Sequence, residues 1–105
     1  HLKHLPLTMN PEPEGTVNGY WLPNVIINSN INFDRQFLLD RFENDNIDAR
    51  VFFWPLSLLP MFKDKPANTV SYSIYKRAIN LPSYHDMTES DMDRVVKKIL
   101  CCLNN

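Results

Sequence analysis

A run of three aromatic residues is the strongest candidate for ligand chemistry in this sequence. The run extends from Phe52 to Trp54, follows Arg50 and is closed by Pro55. A guanidinium can bind a phosphate through parallel hydrogen bonds, and a large ring can stack on a sugar or a base. An arginine in the middle of a strand can equally be the partner of an internal salt bridge. Both roles for Arg50 are compatible with its position.

Alternation along a strand sets the directions of these rings. Successive side chains of a strand point to opposite faces, so Phe52 and Trp54 are expected on one face and Phe53 on the other. At least one bulky ring then leaves the core side, where it could line a pocket. A strand that is covered on both faces would explain the same pattern. Periodicity alone does not separate these two interpretations.

The histidines and cysteines have structural explanations. No set of ligands at metal-binding spacing accompanies His4 or His85, so both are interpreted as loop histidines. Cys101 and Cys102 are adjacent, which is poor geometry for a structural disulfide. They fall on or beside the apolar side of a terminal helix, where cysteine behaves as a small hydrophobe. We expect two reduced thiols.

An acidic cluster near the C-terminus is explained by helix capping. Thr88 to Asp91 has the form of a capping box, and Asp86, Glu89 and Asp93 fit a solvated first turn. General acid or base catalysis is therefore not predicted here.

Three helices are predicted near residues 34 to 45, 69 to 79 and 88 to 103. The first starts at an Asp34 cap and has an apolar face, the second is capped by Asn68-Thr69, and the third repeats apolar residues every three or four positions. The apolar face of the first helix comprises Phe33, Phe37, Leu38 and Phe42.

Three segments rich in β-branched and aromatic residues are predicted to form strands. They are Thr16 to Ser29, with Pro23 at an edge or bulge, Ile47 to Trp54, and a short edge strand over Ile79 to Pro82. The resulting fold class is α+β, with a small, largely antiparallel sheet of about three strands packed by helices.

Composition excludes several partner classes. The 105 residues carry a net charge of -1, which gives no electrostatic footprint for nucleic acid or an anionic membrane. No apolar run approaches the length of a membrane span, and we expect a cytoplasmic protein. Only two glycines are present, too few for a glycine-rich phosphate loop.

The first 15 residues are expected to form a lead-in or interdomain connection. Residues 1–14 contain three prolines and no clear period, as if the chain began inside a connection. Residues 16–105 are then one domain of a larger protein.

Several separate blocks of this sequence resemble one enzyme family. They are the opening 13–23 block, Ile47 to Leu56, Met61-Phe62 and Ala78 to Glu89. Together, in this order and spacing, they resemble the C-terminal region of the DegT/DnrJ/StrS sugar aminotransferases, and most closely the perosamine synthases. The resemblance covers roughly residues 11 to 100. It implies the C-terminal small domain of a fold-type I aminotransferase.

The resemblance also implies an activity and a set of partners. Such enzymes use pyridoxal phosphate to transfer an amino group from glutamate to a 4-keto-6-deoxy sugar nucleotide, for polysaccharide biosynthesis. The cofactor lysine belongs to a large domain that this chain lacks, so the chain itself would hold no cofactor and no catalytic residue. A homodimer or higher oligomer is expected for the parent enzyme.

Four residues are carried over from the resemblance as substrate-pocket candidates: Arg50, Phe53, Trp54 and Pro55. Many family members have a tyrosine or histidine followed by prolines at the Phe53-Trp54-Pro55 position, so a histidine role is not carried over. Two alternatives stay open. The chain could be a stand-alone interaction module, or part of a pyridoxal-phosphate-dependent sugar dehydratase whose cofactor lysine is replaced by histidine.

Overall fold

Four short strands and three helices make up residues 2–103, the part of the chain that the computed structural model describes. In chain order they are β1 (Leu7–Met9), β2 (Asn24–Ile27), α1 (Arg35–Asn44), β3 (Arg50–Val51), a short 3-10 helix (Leu56–Leu58), α2 (Thr69–Arg77), β4 (Ala78–Asn80) and α3 (Glu89–Leu103). The predicted α+β class is confirmed. Within these residues no helix is both long enough and apolar enough to cross a bilayer.

The strands form one antiparallel sheet in the order β1-β2-β4-β3. In its central row Val25 of β2 pairs with Met9 on one side and with Ile79 on the other. The two inner strands are therefore β2 and β4. β4 was predicted as an edge strand, and this is wrong: β4 is flanked on both sides, and all three of its residues are buried.

The hydrophobic core lies between one face of the sheet and the helices α1 and α3. Val25 and Ile79 supply the sheet side, and Leu38, Phe42 and Ile99 supply the helix side. All five are essentially inaccessible to solvent. Burying a side chain of this size contributes about 1.5–3 kcal/mol, so this contact accounts for much of the stability of the domain.

Side-chain caps fix the starts of α1 and α3. The Asp34 carboxylate accepts a hydrogen bond from the Phe37 amide at 3.1 Å. At α3 the Thr88 hydroxyl accepts from the Asp91 amide at 3.2 Å, and the Asp91 carboxylate accepts from the Thr88 amide at 3.0 Å. This reciprocal pair is a capping box, as the sequence predicted.

Helix α2 starts at residue 69 as predicted, but its capping contact and its C-terminal end differ from the prediction. Asn68 occupies the N-cap position, but its side chain makes no capping hydrogen bond. The helix ends at Arg77, and Ala78 is already the first residue of β4. Propensity continued the helical pattern to residue 79, whereas pairing with β2 draws Ala78 and Ile79 into the sheet.

Two predicted strands are much longer than the observed ones. Of the segment from Thr16 to Ser29 only the four residues of β2 are paired, and Val17 is almost fully exposed. The β2 ladder starts directly after Pro23, which has no N–H to donate. Of the segment from Ile47 to Trp54 only β3 is paired. Composition identified both segments, but the extent of pairing depends on distant partners.

The sheet has one strand more than predicted. Its residues, 7–9, lie in the segment expected to be a connection, and they pair with Val25 to Ile27. The division of the chain at residue 15 stays a prediction. Phe37, which was assigned to the apolar face of α1, is partly exposed and packs under the Arg41 guanidinium, 5.2 Å from the ring centre.

Candidate functional site

Arg50 lies on the outer strand β3 with 76% of its side chain exposed. Its guanidinium donates to both carboxylate oxygens of Asp48, at 3.2 Å from Nε and 2.9 Å from Nη2. These hydrogen bonds lower the pKa of Asp48 and raise that of Arg50. An exposed pair of this kind is weak, so an incoming phosphate could replace the carboxylate at little cost.

The three aromatic residues continue past the end of β3, so strand alternation does not set their directions. Phe53 is 58% exposed and Trp54 is 52% exposed. Phe53 meets Phe52 edge to face at 5.7 Å, and Trp54 packs against Tyr75 of α2 at 5.1 Å. Phe53 and Trp54 are therefore about half exposed, and each contacts one neighbouring ring.

The structure brings together only two of the four predicted substrate-pocket residues. Arg50 and Phe53 line one open groove of about 410 Å³. Trp54 turns to Tyr75, and Pro55 is buried at the start of the 3-10 helix. Pro55 therefore supports the local backbone and presents no surface to a ligand in this chain.

Residues that the sequence did not single out complete the groove. Trp21, Asn80, Pro82 and Ser83 line it together with Arg50 and Phe53. Trp21 belongs to the loop before β2 and is 79% exposed. A second hollow of about 260 Å³ shares Trp21, Phe53 and Asn80 with the first one. Aromatic walls with a few polar groups are typical of small-molecule sites.

A row of polar side chains crosses the sheet beside these hollows. Asn80 of β4 is paired with Asn24 of β2 on one side and with Arg50 of β3 on the other. Directly paired residues of an antiparallel sheet share a face, so all three side chains lie on the face opposite Val25 and Ile79. This polar row, Asn24-Asn80-Arg50, is the feature that sequence reasoning missed.

Asn80 is the buried member of the polar row. Only 8% of its surface is exposed. Its Nδ2 donates to the Val51 carbonyl at 3.4 Å, and its Oδ1 has no hydrogen-bond partner among the described residues. Buried polar atoms are nearly always paired, so this oxygen needs an explanation. A lone asparagine inside the apolar run from Ala78 to Leu81 was the available sequence signal.

The loop that carries Trp21 is held by its own polar groups. The Tyr20 hydroxyl donates to Glu12 at 3.0 Å, which raises the pKa of Tyr20. The Tyr20 amide donates to Asn18 Oδ1 at 2.8 Å, and Tyr20 has a positive φ of 49°. This conformation is uncommon for a residue other than glycine. These contacts set the position of the neighbouring Trp21.

Tyr72 of α2 anchors the segment that follows the aromatic run. Its hydroxyl donates to Asp64 at 2.5 Å, lies 2.6 Å from the Ser57 hydroxyl and accepts from the Lys65 amide at 3.1 Å. One oxygen thus ties residues 57 and 64–65 to α2. The segment from Phe53 to Phe62 exposes six large apolar side chains: Phe53, Trp54, Leu56, Leu58, Met61 and Phe62.

The remaining sequence candidates lie at the surface or have structural roles. His4 and His85 are exposed loop residues. Cys101 and Cys102 are free thiols, and burial raises the pKa of Cys102. Hydrogen bonds from Thr88 lower the pKa of Asp91, in keeping with its capping role. In residues 2–103 no three His, Cys, Asp or Glu side chains come close enough to hold a metal ion.

The lysines do not form a Schiff-base site within residues 2–103. Lys98 is paired with Asp45 at 2.5 Å. The other lysines are exposed: Lys3, Lys63, Lys65, Lys76 and Lys97. A cofactor lysine lies in an enclosed pocket, whereas these side chains are exposed or, for Lys98, ion-paired.

Comparison with known proteins connects this geometry to one family. The sequence profile of the DegT/DnrJ/EryC1/StrS aminotransferase family matches residues 1–100. GDP-perosamine synthase of Vibrio cholerae is 35% identical over 107 residues, which cover 99% of this chain and 28% of that protein. The putative pyridoxal phosphate-dependent aminotransferase EpsN of Bacillus subtilis (strain 168) is 29% identical, with 86% of this chain and 24% of that protein covered.

Solved structures agree on the fold. The aminotransferase TlmJ from Streptoalloteichus hindustanus superimposes with a TM-score of 0.74 at 17% identity, over 94% of this chain and 26% of that chain. A DegT DnrJ EryC1 StrS aminotransferase from Brucella abortus gives a TM-score of 0.72 at 18% identity, over 95% of this chain and 27% of that chain. This chain spans about a quarter of the length of the relatives it matches.

Proposed function

This chain belongs to the DegT/DnrJ/EryC1/StrS aminotransferase family, and on that premise we propose that it is the small domain of a sugar-nucleotide aminotransferase. The parent enzyme uses pyridoxal phosphate and transfers an amino group from glutamate to a 4-keto-6-deoxy sugar nucleotide. The observation that carries this proposal is the 35% identity with a GDP-perosamine synthase over 99% of the chain.

The small domain closes one side of the active site and supplies no reacting group. Pyridoxal phosphate, held by a lysine of the large domain, acts as the electron sink of transamination. Arg50 binds a phosphate of the substrate after exchanging its exposed Asp48 partner. Phe53 lies beside Arg50 in the groove and stacks on the substrate, while Trp54 and Pro55 shape the adjoining surface.

The exposed apolar side chains between residues 53 and 62 support the presence of a further partner surface. Six large apolar residues in one surface segment are unusual for a domain that functions alone. In the parent enzyme this segment packs on the large domain or on a second subunit of a homodimer. The same feature argues against a stand-alone interaction module as the complete protein.

The reading frame upstream of His1 tests the parentage of the chain. An open frame that encodes a large α/β domain with a cofactor lysine is the expected result. A histidine in place of that lysine would change the activity to dehydration, and a start codon adjacent to His1 would refute the proposal.

Arg50 tests the role of the small domain in the full-length enzyme. Arg50→Ala is expected to raise the KM for the sugar nucleotide about tenfold, because a charge-assisted contact is lost, with little change in the KM for glutamate. Lys63→Ala, an exposed cation outside the groove, is the matched control. Equal KM values for the sugar nucleotide in Arg50→Ala and Lys63→Ala would show that Arg50 does not bind the substrate.

A further inference from the structure

The buried oxygen of Asn80 points to a binding contact that the proposed function does not yet include. Asn80 is more than nine-tenths buried, and its Oδ1 has no hydrogen-bond partner among residues 2–103. A buried carbonyl oxygen without a partner destabilises the folded protein, whereas an apolar side chain of the same shape would not. A leucine at this position would remove the unpaired oxygen, although it would also remove the Nδ2 donor to Val51.

The surroundings of Asn80 select one of its two polar atoms. Nδ2 is already used, since it donates to the Val51 carbonyl of the adjacent strand at 3.4 Å. The neighbouring Asn24 is used as well, because its Nδ2 donates to the Leu22 carbonyl at 3.2 Å. Oδ1 of Asn80 is therefore the buried acceptor of the polar row that has no hydrogen-bond partner among residues 2–103.

The two hollows that meet at Asn80 have walls suited to a carbohydrate ring. Trp21 and Phe53 line both hollows and are largely exposed. Exposed rings lose little packing when they move, so they can open a path to the buried oxygen. Sugar rings combine C–H faces, which stack on aromatic side chains, with hydroxyl groups, which donate hydrogen bonds. Arg50 lies at the end of the same row, where a phosphate would follow the sugar.

We propose that Asn80 Oδ1 accepts a hydrogen bond from a hydroxyl group of the hexose, with Trp21 and Phe53 packed on the two sides of the ring. This inference rests on the proposed function, because it assigns the sugar part of the sugar nucleotide to one subsite. Asn80 thereby increases the affinity for a nucleotide that carries a hydroxylated hexose over the affinity for the same nucleotide without a sugar. A sugar without the donor leaves the buried oxygen without this hydrogen bond.

Equilibrium binding to the full-length, cofactor-loaded enzyme tests this subsite. The probes are GDP-mannose, which carries a hydroxylated hexose, and GDP, which lacks one; both are titrated calorimetrically into wild type and Asn80→Leu. We expect Asn80→Leu to bind GDP-mannose about tenfold more weakly and GDP within about twofold of wild type. Asn30→Leu, an exposed amide outside both hollows, is the matched control and should change neither affinity.

Thermal unfolding separates this role from a structural one. Asn80→Leu removes an unpaired buried oxygen together with a long, 3.4 Å hydrogen bond to the Val51 carbonyl, two changes of opposite sign, so its melting temperature should stay close to that of wild type while hexose affinity falls. Trp21→Leu changes a side chain that is 79% exposed, and it should show the same selective loss even if Asn80→Leu does not fold.

The outcomes distinguish the two proposals. A wild-type enzyme that binds neither probe refutes the sugar-nucleotide function itself. A wild type that binds both, with unchanged or equally weakened affinities for the two probes in Asn80→Leu and Trp21→Leu, refutes the hexose subsite alone.

Discussion

Removing the Tyr72 hydroxyl should release the segment from Ser57 to Lys65 from helix α2. Tyr72→Phe deletes three hydrogen bonds, one of them to the Asp64 carboxylate. A neutral hydrogen bond contributes about 1 kcal/mol net, and one to a charged group contributes about 1.5–3 kcal/mol. Because these groups are partly exposed, we expect the free energy of unfolding to fall by about 2 kcal/mol.

The assay for Tyr72→Phe combines urea unfolding with amide hydrogen exchange. The Leu59 and Phe62 amides donate to the carbonyls of Leu56 and Leu59, respectively, so the substitution leaves their hydrogen bonds in place. Their exchange should accelerate about 30-fold, as a change of about 2 kcal/mol in the opening free energy requires. Amides of α3 should change less.

A matched control exists one turn along the same helix. The Tyr75 hydroxyl makes no side-chain hydrogen bond within residues 2–103, and its ring contact with Trp54 survives replacement by phenylalanine. Tyr75→Phe should leave stability within about 0.5 kcal/mol of the parent value. If the two substitutions reduced stability equally, the anchoring role of the Tyr72 hydroxyl would be refuted.

Two further predictions concern the core and α3. Phe42→Ala should lower the free energy of unfolding by about 3–5 kcal/mol, because the Phe42 ring is fully buried between α1 and α3. Phe37→Ala, on the exposed side of α1, should lower it by less than about 1 kcal/mol. Similar losses of stability for the two variants in circular-dichroism melts would contradict this core assignment. The pKa of Asp91 is lowered by hydrogen bonds from Thr88, so its stabilising contribution is present above about pH 4 and is lost as the pH falls through the folded-state pKa. Urea midpoints of wild type and Asp91→Asn should therefore differ at pH 7 and converge at acid pH; a constant difference would exclude this mechanism.

Local rules were sufficient for α1 and α3. Asp34 and the pair formed by Thr88 and Asp91 mark helix starts through hydrogen bonds within one turn, so the sequence contains all the partners. The family resemblance supported the α+β class, but neither it nor periodicity predicted the strand order. Strand limits were less predictable, because the four residues of β2 pair with residues up to 56 positions away.

The candidate site was only partly predictable for the same reason. Arg50 and Phe53 share a groove, as expected of neighbours in sequence. The contact between Trp54 and Tyr75 depends on where α2 lies, and the burial of Asn80 depends on β4 being an inner strand. Neither fact is encoded locally. An asparagine within an apolar run indicated a special position without revealing which surface it would face.

The direct junction of α2 and β4 has a mechanical consequence. Arg77 ends the helix, Ala78 begins the strand, and the Arg77 guanidinium is tied to the Ile27 carbonyl of the adjacent strand. No connecting residue remains to serve as a hinge. A displacement of α2 is therefore transmitted directly to the middle of the sheet, including Asn80. Helix α2 and the two inner strands, β2 and β4, move together as one rigid unit.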